Sequence, residues 1–249
     1  MCHETASVKT RFGSPEGYLK YLNNKGIENV EAIGISAQSQ FNSLFETGLP
    51  IERFFEAFYS HAADTIEALV QLGGSTLLAS PTPGIGFLDQ AFHGDEGKKE
   101  KFLADAAECM NRIGEACKEN KIHFAVRNEY WTLVRGTKID SLMENLDTGL
   151  VSYAADPAHL SIANADYLEY FKKYAKQAKA VCFTDTKFED ELDVYKTISP
   201  EFPQDGRRQR VYYDLGYGNM DFTEIYKILR NADFDGPVIL DSKYSLDIP

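Results

Sequence analysis

The chain has 249 residues, 43% apolar and 26% charged, enough to fill a sizeable core and short enough for one large barrel or two ordinary domains. Lys and Arg number 26 against 38 Asp and Glu, a formal charge of −12, which argues against non-specific nucleic-acid binding, where basic surface must face phosphate. No run of about 18 apolar residues could span a membrane, and the opening MCHETASVKTRF lacks the apolar core of a secretion signal, so a cytoplasmic protein is expected.

The elements alternate along the chain. Ser14-Pro15 suits the start of a helix, with Ser as cap and Pro in the first turn, closed by Gly26. Residues 30–35 read as a short strand. Pro50 opens a long helix with Ile51, Phe54, Phe55, Phe58, Ala62, Ile66 and Leu69 at helical spacing, ended by Gly73. STLLAS, 75–80, is a strand running into the loop PTPGIG, and AFHGDEG is read as loop. A helix is predicted over about 98–120, then a strand and loop in IHFAVRNEYW, 122–131. Lys138 to Leu146 is helical, and LVSYAADPAHL, 150–160, is a strand with its following loop. Asp166 to Gln177 is helical and leads to KAVCFTDTKFED, 179–190, an apolar strand that ends in polar groups. Residues 190–209 form a long polar excursion. VYYDLG, 211–216, reads as a strand, Asp221 caps a helix to Arg230, and PVILDSKYS, 237–245, is the last strand.

Short apolar strands alternating with helices imply a parallel sheet covered on both faces. At this length the expectation is α/β, a (β/α)8 TIM barrel over residues 1–249 as a single domain, with an irregular or truncated first strand and no final helix. A doubly wound sheet would usually carry a glycine-rich turn after its first strand, and none is present. The cysteines stand at 2, 109, 117 and 182. Cys109 and Cys117 are about 12 Å apart along a helix, too far for a disulfide, and no Cys-x-x-Cys pair suggests structural zinc. Free thiols fit a reducing cytosol.

A barrel of this kind places its site at the C-terminal strand ends. Those ends carry Arg127, Glu129 and Trp131; Asp156 and His159; Cys182, Asp185 and Lys187; Asp214; and Asp241 and Lys243. Carboxylates converging on one rim repel unless a proton or cation sits among them, and a divalent metal is the simplest such cation. Each residue has a plainer reading as well. Asp156 before Pro157 can cap a turn, His159 can bond a loop carbonyl, Asp241 can pair with a Lys or Arg, and Cys182 on residue type alone is core filling.

Two segments, ADPAHLSIANADYLEYFKKYAKQAKAVCFTDTKF and DLGYGNMDFTEIYKILRNADFDGPVILDSKYS, carry a specific pattern. They hold Asp156-Pro157-Ala158-His159-Leu160, Val181-Cys182-Phe183-Thr184-Asp185, Gly216-Tyr217-Gly218-Asn219-Met220-Asp221-Phe222 and Asp241 in order. In this the chain, from about 14 to 249, resembles the xylose isomerase-like barrels called sugar phosphate isomerases/epimerases, a group that includes inosose dehydratases. The resemblance implies a divalent metal (manganese, magnesium, cobalt or zinc). Carried over by position, its ligands are Glu129 (Arg127 if the register shifts by two), Asp156, Cys182 in place of a histidine, and Asp241 in place of a longer glutamate. A thiolate at that position suits zinc better than harder ions.

The implied reaction is isomerisation, epimerisation or dehydratase-type elimination on a sugar, keto-sugar or cyclic polyol. Glu129 and Asp241 are the expected acid/base pair and Lys187 a proton donor. Trp131 is expected to pack a sugar face, Arg135 and His159 to hold hydroxyls or a carboxylate, and Asp185 and Lys243 to face the bound molecule. The expected partner is a small carbohydrate, with a homo-oligomer or second subunit and neither nucleic acid nor membrane. A second reading is a non-catalytic or partner-dependent barrel subunit with a degenerate metal site.

Overall fold

The computed structural model describes residues 51–80, 84–197 and 211–241, together with Asn24. The helix expected from Ser14, the strand expected at 30–35 and the candidate Lys243 lie outside the described residues. The chain divides into two compact units, Met1–Gly34 and Ile35–Pro249, and every element named below belongs to the second.

In chain order these are α1 (Ile51–Leu72), β1 (Thr76–Ala79), α2 (Ile85–Phe92), α3 (Glu96–Glu119), β2 (His123–Arg127), α4 (Ile139–Met143), β3 (Val151–Ala154), α5 (Pro157–Ile162), α6 (Tyr167–Tyr174), β4 (Val181–Phe183), α7 (Phe222–Asn231) and β5 (Val238–Leu240). All the strand pairs are parallel: β1, β2 and β3 lie side by side in chain order, and β4 pairs with β5. The Cys182 N–H donates to the Ala155 carbonyl at 3.0 Å, which ties β4 to the end of β3. Parallel neighbours need a crossover between them, and the helices supply it.

The helices form where the apolar stripes predict them. Helix α1 buries Phe54, Phe55, Phe58, Ala62 and Ile66 at helical spacing. It ends at Gly73, whose φ of +73° is a conformation that glycine adopts without steric cost. Its aromatic face meets Phe102 of α3, whose ring centroid is 5.0 Å from that of Phe55 and 6.0 Å from that of Phe54. Four helix starts are capped by an aspartate that accepts from backbone N–H groups one turn in: Asp95 for α3, Asp156 for α5, Asp166 for α6 and Asp221 for α7. No described helix is long and apolar enough to cross a membrane.

Two segments depart from expectation. Residues 85–92 form α2 rather than loop; the helix is short and buries only Ile85, Leu88 and Phe92, so its period is barely visible behind the Pro-Gly stretch. Residues 211–216 make no strand beyond one antiparallel bridge, Tyr213 to Asp185. The physical reason is Asp185 itself, whose carboxylate captures the backbone just downstream, as described below.

Candidate functional site

Side chains on a strand alternate between faces, so residues two apart share a face. One face of the strands carries a small apolar cluster: Leu78, Ala125, Ala154, Ala180 and Cys182, with Ile239 packed against it. Two residues further along each strand the same face continues as Ser80, Arg127, Asp156, Thr184 and Asp241. The polar residues therefore form a layer at the C-terminal strand ends, above a floor of mostly small apolar residues.

Arg127 is the centre of that layer. Its Nη2 donates to Asp156 Oδ2 at 2.8 Å and to Asp241 Oδ2 at 2.6 Å, and lies 3.4 Å from Thr184 Oγ1. Burial works against its charge, but Cys182, Asp241, Asp156 and Glu129 outweigh burial and hold the guanidinium ionised well above its ordinary value. Its Nε is buried with no hydrogen-bond partner among the described residues.

Asp156 is wholly buried. Its Oδ1 accepts from the N–H groups of Ala158 and His159 at 3.1 and 3.3 Å, and its Oδ2 from Arg127 and from the Thr184 hydroxyl at 2.7 Å. Those contacts account for the acceptor capacity of a carboxylate. Asn128 props the same turn: its Oδ1 accepts from the Tyr153 hydroxyl at 2.6 Å and from the Asp156 N–H at 3.0 Å. Asp241 is more open, with a fifth of its side chain exposed. Glu129 is half-buried and accepts from the Ser80 hydroxyl at 3.1 Å.

The remaining candidates fall around this layer. Cys182 is fully buried in the floor, among Leu78 and the alanines, one step below the polar layer. His159 is fully buried; its Nδ1 accepts from the Tyr130 N–H at 3.1 Å, so the neutral ring carries its proton on Nε2, which lies 3.5 Å from Arg127 Nη2. That pair of donors is an apposition, not a hydrogen bond.

Trp131 is 7% exposed, with a buried Nε1 lacking a partner among the described residues and a carbonyl that accepts from the Ile85 N–H at 2.8 Å. Arg135 donates through Nε to the Tyr130 carbonyl at 2.9 Å and lays its guanidinium 3.7 Å over the Tyr195 ring. Lys187 is exposed, 5.3 Å over the Tyr213 ring.

Asp185 is fully buried and accepts four backbone N–H groups: Thr186 and Met220 on Oδ1 at 2.9 and 3.1 Å, Gly216 and Gly218 on Oδ2 at 2.9 and 2.8 Å. The structure thus brings Asp156, Asp241 and Arg127 into direct contact and puts Cys182 beneath them. Asp185, Arg135 and Lys187 make the other contacts given above. Thr184, Asn128 and Ser80 were not singled out from the sequence, although the period-two alternation through Cys182 and Leu78 points to two of them.

The donor set does not fit a divalent metal. A metal needs lone pairs converging on an open point, whereas the point between Asp156 and Asp241 is filled by a guanidinium nitrogen that is itself a cation and has no acceptor. Among the described residues no three His, Cys, Asp or Glu side chains converge.

Comparison with known proteins gives this geometry a context. A model of the family described as xylose isomerase-like TIM barrel matches residues 13–247. An inosose dehydratase of Clostridium perfringens is 28% identical over 210 residues, which cover 82% of this chain and 68% of that protein. An inosose dehydratase of Bacillus thuringiensis is 25% identical over 238 residues, 93% of this chain and 78% of that one. Among solved structures, a D-allulose 3-epimerase from Methylomonas sp. aligns with a TM-score of 0.53 at 16% identity, covering 75% of this chain and 56% of that chain. The IOLI protein with a binding zinc atom aligns with a TM-score of 0.51 at 13% identity, covering 73% of this chain and 58% of that one. The chain spans little more than half the length of these solved structures, and likeness at such identity carries the barrel fold, not the zinc.

Proposed function

The chain belongs to the family of xylose isomerase-like TIM barrels, and from that premise we propose that it is an enzyme of the isomerase, epimerase or dehydratase type acting on a sugar, keto-sugar or cyclic polyol. The observation that carries the reading is the polar layer at the strand ends. It has a buried cation, Arg127, and two carboxylates, Glu129 and Asp241, that are less buried than Asp156. The named relatives that overlap most of this chain, inosose dehydratases, support the substrate class.

The three reaction types share a first step: a base takes the proton from the carbon beside a carbonyl, and charge develops on the carbonyl oxygen. Asp241 and Glu129 are the candidate bases. Asp156 is not, because its oxygens are engaged by Arg127, Thr184 and the start of α5. The Trp131 edge, with its unpaired Nε1, would meet a hydroxyl of the bound molecule. The described cysteines are free thiols, which supports a reducing, cytoplasmic location.

Incubating the protein in D2O with a panel of inososes and ketohexoses, followed by proton NMR, tests the reading. Deuterium should enter at the carbon beside the carbonyl, and E129Q or D241N should slow exchange by on the order of 10²-fold or more. No exchange and no conversion across the panel would overturn it. Ligand binding without exchange would favour the second reading, a binding or partner-dependent barrel, for which the buried Arg127 at a ligand position is the supporting observation. Light scattering and capture of a stoichiometric second subunit would then follow it up.

A further inference from the structure

We propose that Arg127 is the resident cation of this site, standing where the family resemblance implies a divalent metal, and that the centre is complete without one. On the substrate side this rests on the function proposed above. The cation assignment stands on the geometry alone.

Three observations converge. First, one nitrogen of Arg127 bridges Asp156 and Asp241, the two implied metal ligands that this chain retains. A metal bound to both would sit about 2.0–2.2 Å from their oxygens, in the volume Nη2 fills, and would face a like charge in a buried setting. Second, the position of the expected histidine is held by Cys182, fully buried and packed among Leu78, Ala125, Ala154 and Ala180, while Thr184, two residues on, donates to Asp156. Third, the floor beneath the guanidinium is made small by Ala125 and Ala154, and Ala154 is the register partner of Arg127 across the β2–β3 pair. The space that a large side chain would take is left for the arginine.

The orphaned Nε gives the cation a direction. It is buried and lacks an acceptor among the described residues, and a buried donor without one costs free energy that a ligand oxygen can recover. Arg127 therefore both offsets part of the charge of the two aspartates and offers an N–H to an oxygen of the bound molecule, a carbonyl or hydroxyl on which negative charge grows. A guanidinium does this at any working pH and is not removed by chelation.

The test reads metal directly, so it fails separately from the substrate assignment. Wild-type protein is incubated with Mn²⁺ or Zn²⁺, desalted and analysed for bound metal, and its melting temperature is compared in EDTA and in excess metal. The expected result is well under one ion per chain and no shift in melting temperature. The R127E/C182H variant, which removes the cation and adds two metal-competent groups, should gain metal-dependent stabilisation, a rise of roughly 5–10 °C at a hundredfold excess over its Kd.

R127K keeps a cation and should stay folded and metal-indifferent, which keeps the test decisive if the double variant fails to fold. Stoichiometric Mn²⁺ retained by the wild type and lost from D241N would overturn the proposal. So would a metal-dependent melting temperature in R127K equal to that of the wild type.

Discussion

Asp156 and Asp185 are both fully buried carboxylates at strand ends, and they are satisfied in opposite ways. Asp185 is held by four backbone N–H groups, two of them from glycines in the segment 216–220. Its partners are the chain itself, so it fixes where that segment runs and keeps no acceptor for a ligand. Asp156 takes two backbone N–H groups at a helix start, then a hydroxyl and a guanidinium from other strands. Side-chain partners can be exchanged without rerouting the backbone. Burial and charge alone therefore do not mark a site; what distinguishes the two is whether the carboxylate is engaged by the main chain or by side chains that also face the strand-end layer.

The largest effect that can break this comparison is R127M. It strands Asp156 as an unpaired buried charge, a loss of about 3–5 kcal/mol on urea unfolding. If it cost no more than a surface substitution, the strand-end layer would not be a charge-paired centre. D185N comes next: its amide nitrogen would face donors where a carboxylate oxygen accepted, and the expected cost is about 3 kcal/mol. The loss should appear in hydrogen exchange at Gly216, Gly218 and Met220 and leave ligand binding at the strand ends in place. G218A sharpens the same point more gently. A Cβ there would collide with the Asp185 carboxyl, and overpacking of this kind costs about 1–2 kcal/mol by the same unfolding measurement.

The smallest effect separates both carboxylates from the helical layer. Burial pushes the thiols of Cys109 and Cys117 on α3 up to about 12 from 9.0. A raised folded pKa means that the folded state holds the proton more tightly than the unfolded one. This stability is whole below pH 9 and is lost as pH rises towards about 12. The alkaline stability profiles of wild type and R127M should run parallel through that window, because the guanidinium does not titrate there. Converging profiles would mean that the Arg127 centre and the α3 packing are coupled.

Much of this was legible in the sequence where one period dominates. The stripe of α1, its stop at Gly73, the cap Asp221, and the strands at 75–80, 122–131 and 150–160 all follow from local patterns. Helix α2 was not, because eight residues behind a Pro-Gly loop give too few turns to show a period. The segment 211–216 looks like a strand because Val211 and Tyr212 are apolar and buried; Asp185, distant in sequence, bends it away. At the site, the sequence indicated Asp156, Asp241 and the position of Cys182. It did not indicate that Arg127 would be the partner of both aspartates, since strand-end charges suit a metal or an arginine alike, and only the tertiary contacts of Arg127 with Asp156 and Asp241 distinguish them.

On the proposal made above, a guanidinium and not a metal occupies the point between Asp156 and Asp241. A crystal structure from Mn²⁺-soaked crystals, with anomalous scattering recorded for manganese, tests it most directly. The expected result is Arg127 Nη2 within hydrogen-bond distance of both carboxylates and no anomalous peak between them. A peak there, with Arg127 turned away, would contradict it.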